Sequence, residues 1–122
     1  LAFNNFCKRI ININEAPTAS FIFLKSGNKF EKVKIHDIQY MQAEGSYTKF
    51  FTNDKQYTLS GNLNNTSEKI GHPSFIRIHR SYVVNIDNIN SMDNDYVFVG
   101  NSNLPISRSY KEEVSRILRK IS

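Results

Sequence analysis

From Phe21 onward, short β-prone runs alternate with turn-forming residues at near-regular intervals, and this rhythm constrains the fold more than any other feature of the chain. Phe21 to Lys25 and Lys29 to Ile35 flank Ser26-Gly27-Asn28, and Ile38 to Ala43 and Tyr47 to Thr52 flank Glu44-Gly45-Ser46. Asn53-Asp54-Lys55 then returns the chain into Gln56 to Leu59. Further on, Ile89 to Met92, Tyr96 to Val99 and Leu104 to Ile106 are separated by Asp93-Asn94-Asp95 and by Gly100-Asn101-Ser102-Asn103. Strands this short, joined by turns this tight, pair as antiparallel hairpins; a parallel sheet would need a helical crossover between successive strands. No internal repeat, low-complexity tract or heptad seam is visible.

Two segments break the rhythm. Leu63, Ser67 and Ile70 share one helical face, Asn62 can cap the N-terminus, and Gly71 before His72-Pro73 stops the helix. Tyr110, Val114, Ile117, Leu118 and Ile121 repeat at helical spacing, and Ser109 with Glu112 makes a capping box. The expectation is a mainly β domain with a short helix and a C-terminal amphipathic helix whose apolar stripe docks on the sheet. Residues 1–20, which lack periodicity and include Ala16-Pro17-Thr18-Ala19, read as a linker or a remnant of an upstream domain, and residues 21–122 as the folded domain. A chain of 122 residues suits one such domain.

The run Phe75-Ile76-Arg77-Ile78-His79-Arg80-Ser81-Tyr82-Val83-Val84-Asn85 is chemically unusual. Two β-prone stretches meet at a turn that gathers Arg77, His79, Arg80 and Ser81. A guanidinium fork, an imidazole and a hydroxyl in one turn suit phosphates and base edges, whereas the bland reading is a solvated hairpin. Charge favours the first. Sixteen Lys and Arg stand against eleven Asp and Glu, for a formal net charge of +5, which fits a polyanionic partner. A membrane surface would need basic residues set opposite an apolar, aromatic-anchored helix face, and the helical segments lack that pattern. The chain has no apolar run approaching a membrane span and no secretory leader pattern, so it reads as a piece of a longer cytoplasmic protein. Cys7, the single cysteine, has no internal disulfide partner.

Catalysis is not expected. His36, His72 and His79 lie in separate elements and at no metal-ligand spacing. Gly45 and Gly61 are isolated turn glycines rather than parts of a phosphate loop, no serine sits in a nucleophile elbow, and Glu112-Glu113 diverge around a helix. No cofactor or metal is implied.

The order of these pieces resembles the LytTR family of bacterial DNA-binding domains, the output half of two-component response regulators. The resemblance runs from about Phe21 to Ile121, and its most specific block is the Phe75 to Asn85 run followed by Ile89. Supporting blocks are Ile38 to Tyr47, Gly61-Asn62-Leu63, and Leu104-Pro105-Ile106-Ser107-Arg108-Ser109-Tyr110. The family implies an elongated fold of about ten short strands in small antiparallel sheets, contacting DNA through loops rather than a helix-turn-helix. It further implies transcription regulation, binding to direct-repeat half-sites in double-stranded DNA, a homodimer on DNA, and a receiver domain upstream in a full-length phosphorelay protein.

Carried onto this chain, the resemblance puts DNA contacts at Gly45-Ser46-Tyr47, at His79-Arg80-Ser81 and at Ser107-Arg108-Ser109. Arg80 and Arg108 can fork onto guanine or phosphate, and with Ser46 and Ser109 they form the expected base or groove contacts. Lys49, Arg77, His79, Ser81 and Lys111 are the expected phosphate contacts. Arg77 can equally partner an acidic side chain, His79 can instead hold the turn through a neighbouring carbonyl, and Ser107 reads first as a helix cap. Tyr47, Tyr82 and Tyr110 read as half-buried supports, and Lys29, Lys32 and Lys34 as a solvated face.

Two alternatives compete with the duplex reading. A β module for RNA or single strands would expose neighbouring aromatics, for which Phe50-Phe51 with Tyr57 is the candidate, although Phe50 and Phe51 point to opposite faces of a strand. A protein-interaction or sensing domain would use the C-terminal helix or an open sheet edge.

Overall fold

A computed structural model describes residues 20–119; Cys7, Ile121 and all of the linker segment except Ser20 lie outside the described residues. Within them the chain forms β1 (Phe21–Ser26), β2 (Lys29–Lys34), β3 (Ile38–Glu44), β4 (Tyr47–Thr52), β5 (Gln56–Ser60), α1 (Leu63–Ile70), β6 (Phe75–His79), β7 (Tyr82–Asn85), β8 (Ile89–Met92), β9 (Tyr96–Val99), β10 (Ser102–Pro105) and α2 (Lys111–Ile117). The strands build a central five-stranded sheet in the order β5-β4-β3-β7-β6, a β1–β2 hairpin and a three-stranded β10-β9-β8 sheet. Each pairing is antiparallel, as the short connections require.

The central sheet is covered on both faces. One core joins Leu24 and Val33 of the β1–β2 hairpin to Ile38, Met41, Phe50 and Val83 of the sheet and to Leu63 of α1. The other joins Tyr40, Ile76, Ile78 and Val84 of the sheet to Val97, Val99 and Leu104 of the three-stranded sheet and to Val114 of α2. The period-two rule explains the division: neighbours Val83 and Val84 point to opposite faces and enter different cores. Fully burying a side chain of this kind contributes about 1.5–3 kcal/mol.

Two matching corners turn the chain between sheets. Ile35–Asp37 and Ile86–Asn88 are single 3-10 turns, each followed by a strand whose register shifts at its second residue, Gln39 or Asn90. Asn85, fully buried, stitches the corners together by donating from Nδ2 to the carbonyls of Ile35 and Ile38 at 3.0 and 2.9 Å, while its Oδ1 accepts from the Asp87 amide. Asn88 donates to the carbonyls of His36 and Ile38.

The helix ends differ from one another. Asn62 caps α1 by accepting from the Asn65 amide at 2.8 Å, and Gly71 closes it in the left-handed region at φ 58°. The Ser109–Glu112 capping box does not form. Arg108–Tyr110 is a 3-10 turn, so the position before α2 falls to Tyr110 in helical φ/ψ, with no side-chain cap. Ser107 holds the position before that 3-10 turn without a side-chain capping bond; its carbonyl accepts from the Tyr110 amide, and its hydroxyl lies 3.3 Å from that of Ser109.

Candidate nucleic-acid interface

Three of the tight hairpins use the same chemistry. Gly27-Asn28, Gly45-Ser46 and Gly100-Asn101 each place glycine first, at φ 64°, 59° and 58°, as two-residue connections that match strand twist demand. The Arg80-Ser81 turn between β6 and β7 does not. It has no glycine, and neither residue has positive φ. The strand register shifts between Arg77 and His79, so a bulge at Ile78 absorbs the mismatch between turn and strand twist.

Side chains hold what backbone preference does not. Arg77 Nε donates to the His79 carbonyl at 2.7 Å, Nη2 donates to the Arg80 carbonyl at 2.5 Å, and Nη1 donates to Asn64 Oδ1. His79 Nδ1 accepts from the Ser81 amide at 3.0 Å. The carbonyls of His79 and Arg80 and the amide of Ser81 are therefore fixed from within the hairpin, and the Arg80 side chain is left exposed. The bond made by His79 assigns the neutral proton to Nε2, leaving that atom free to donate outward. Burial first, then the charges of Arg80 and Arg77, pushes the His79 pKa below its ordinary value of 6.5.

Main-chain bonds string the three expected contact regions together. The Ala43 amide, just before the Gly45-Ser46 turn, donates to the Ser81 carbonyl at 2.9 Å, and the Ser107 amide donates to the Ile78 carbonyl at 2.9 Å. The Gly61 amide donates to the Ser46 carbonyl at 2.9 Å, and buried Thr48 donates to the Gly61 carbonyl, which fixes the start of α1 beside the first turn. Between these parts lies a cleft of about 270 Å³ lined by Gly45, Asn62, Asn64, Arg77 and Arg80, among others.

The cations of this region divide by partner. Arg80 and Arg108 are exposed, and their guanidinium groups make no hydrogen bond or ion pair among the described residues. Lys49 pairs with Glu44 at 2.9 Å, and Lys111 pairs with Asp95 at 2.8 Å. Arg77 partners carbonyl oxygens and Asn64 rather than an acidic side chain. Of the two roles open to it in the sequence, His79 makes a turn-holding bond, by accepting from an amide and not by donating to a carbonyl. Ser46 and Ser109 are exposed, and Ser81 is half-buried.

Two residues depart from the sequence reading. Tyr47 is 52% exposed beside Ser46 rather than half-buried, because it is the first residue of β4, at the end of the hairpin, while Phe51 on the same strand face packs on the second core. Asn64, which sequence reasoning did not single out, braces Arg77; its only sequence signal is its place in the first turn of α1. Tyr82 and Tyr110 are half-buried against the second core, as expected of supports. The aromatic candidates for a single-strand platform are occupied. Phe50 is fully buried, Phe51 stacks on Tyr40 at 4.4 Å, and buried Tyr57 donates to Glu31.

The family model of the LytTr DNA-binding domain matches residues 28–119. The chain is 31% identical over 101 residues to the sensory transduction protein LytT of Bacillus subtilis, an overlap covering 78% of this chain and 42% of that protein. With the protein of the same name from Enterococcus faecalis it shares 25% over 105 residues, covering 81% of this chain and 43% of the other. The chain thus spans less than half the length of these relatives. Its fold is similar to that of a LytTr DNA-binding domain of a DNA response regulator from Bacillus cereus, with a TM-score of 0.71 and 24% identity over 82% of this chain and 97% of that one. Among the described residues no helix is long and apolar enough to cross a membrane.

Proposed function

The chain belongs to the LytTr DNA-binding domain family, whose members bind DNA in regulation, and from that premise we propose that it reads specific sequences in double-stranded DNA to control transcription. The observation that carries this reading is the series of main-chain bonds from Ala43 to Ser81 and from Ile78 to Ser107. It fixes three turns relative to one another with Arg80 and Arg108 unpaired. In this reading Arg80 and Arg108 fork onto base edges or phosphate, with Ser46 and Ser109 approaching the groove. His79 donates from Nε2 to a phosphate while its other nitrogen holds the turn, and the Ser81 hydroxyl and Arg77's remaining N–H groups meet the backbone. Lys49 and Lys111 add charge from within their ion pairs.

Residues 21–122 form the DNA-binding unit in this proposal, and residues 1–20 connect it to a phosphorylation-sensing receiver domain in a longer cytoplasmic protein. Two copies occupying direct-repeat half-sites gain affinity through effective concentration. Selection of bound sequences from a random duplex pool tests the reading: an enriched motif recurring at helical-turn spacing is expected. A pool that stays random after selection, or an affinity that ignores salt, overturns it.

A further inference from the structure

The β1–β2 hairpin has an outward face that duplex reading leaves unused. Register places Phe21 opposite Lys34, Phe23 opposite Lys32, and Phe30 opposite Lys25, all on the solvent side, while Ile22, Leu24 and Val33 face the core. Phe23 and Phe30 are 57% and 65% exposed. Their neighbour Phe21 is engaged, with the Lys32 ammonium 4.2 Å from its ring centre and the Phe23 ring edge-to-face at 5.9 Å. No carboxylate pairs with Lys25, Lys32 or Lys34 among the described residues; Glu31, on the inner side, is held by Lys55 and Tyr57.

An alternation of aromatic and ammonium groups on a sheet face has two demands, a flat π partner and an anion, and they recur at the spacing of the strands. We propose that this face binds single-stranded nucleic acid, stacking bases on Phe23 and Phe30 and holding the adjoining phosphates at Lys25, Lys32 and Lys34. Unpaired bases offer the π faces that a duplex hides. A second copy of the chain would set lysines against lysines. An acidic protein surface would match the charge but leave lysines at the centre of the contact, where protein interfaces are depleted of them. A membrane-surface element separates its basic from its apolar residues, whereas here each phenylalanine is paired with a lysine.

The test uses fluorescence anisotropy of the whole chain with labelled twelve-nucleotide oligo(dT) and oligo(rU), which carry no duplex. The double variant F23A/F30A is expected to weaken binding by about tenfold or more. F23Y/F30Y is expected to retain it and F23L/F30L to lose it, which separates stacking from apolar area. F23A/F30A is expected to leave duplex affinity unchanged, so that failure of this proposal and failure of the duplex reading are told apart. Oligonucleotide binding that is absent, or that survives F23A/F30A, overturns the proposal. So does equal competition by poly-glutamate, or preferential retention on anionic phospholipid vesicles.

Discussion

Arg77 Nε donates to the main-chain oxygen of His79 at 2.7 Å, two residues along the same strand, and so the guanidinium works on the turn that follows it. This is the substitute for the glycine that three of the other hairpins use.

Removing that brace should cost stability and binding together. Arg77→Ala is expected to lower unfolding free energy by about 1.5–3 kcal/mol, the range for hydrogen bonds from a charged group, and to weaken duplex affinity as well. Arg77→Lys should not restore either, because an ammonium cannot span both carbonyls and Asn64. Denaturant titration beside duplex binding checks this. A variant with native stability would mean that the turn holds itself.

Arg80 and Arg108 should behave in the opposite way. Each change to alanine is expected to weaken specific duplex binding by about 1–3 kcal/mol, roughly 5- to 150-fold, with little change in thermal unfolding. Normal binding by both variants would show that the assigned face is wrong.

Lys49 and Lys111 give a test of reversed sign. Glu44→Gln and Asp95→Asn release these lysines from their partners. Both variants are expected to bind duplex more tightly and to steepen the dependence of log K on log salt, each by less than the ~0.9 of one full phosphate contact. Unchanged affinity and slope would remove the two lysines from the interface.

His79 gives a pH dependence. Its folded pKa lies below 6.5, so the unfolded chain binds more protons in the window between the two values. The stability it contributes is present above about 6.5 and is lost as pH falls through that window toward the folded pKa. His79→Gln should therefore flatten the stability profile between neutral and mildly acidic pH, as read by denaturant titration at successive pH values. An identical slope in both proteins would contradict the burial assigned to His79.

Much of the architecture was legible because turn chemistry and strand length are local properties. Gly27, Gly45 and Gly100 mark hairpins through positive φ, and Asn62 and Gly71 bracket α1 by the bonds they make. The last hairpin turn is nonetheless tighter than the sequence reads, since Ser102 and Asn103 already pair with Val99 and Phe98. What the sequence did not disclose depends on distant partners. Asn85 reads as a polar residue ending a strand, and only the approach of the Ile35–Asp37 corner makes it a buried stitch. The Ser109–Glu112 pattern fits a capping box, but the Ser107–Ile78 bond and the 3-10 turn set the start of α2 instead. The contact regions were found through resemblance and turn composition together, whereas the pairing of Lys49 needs the register of β3 on β4, and that of Lys111 needs the approach of α2 to the β8–β9 turn. Lys32 and Lys34 do face solvent, but in company with phenylalanines that the lysine spacing alone does not reveal.

Val83 and Val84, adjacent on β7, are anchors for two interiors at once. A strand shared in this way cannot release one half of the molecule while the other stays intact, so the halves should melt in a single cooperative event. The Arg80-Ser81 turn is joined directly to that strand, and its resting geometry is thereby insured by the stability of the entire fold.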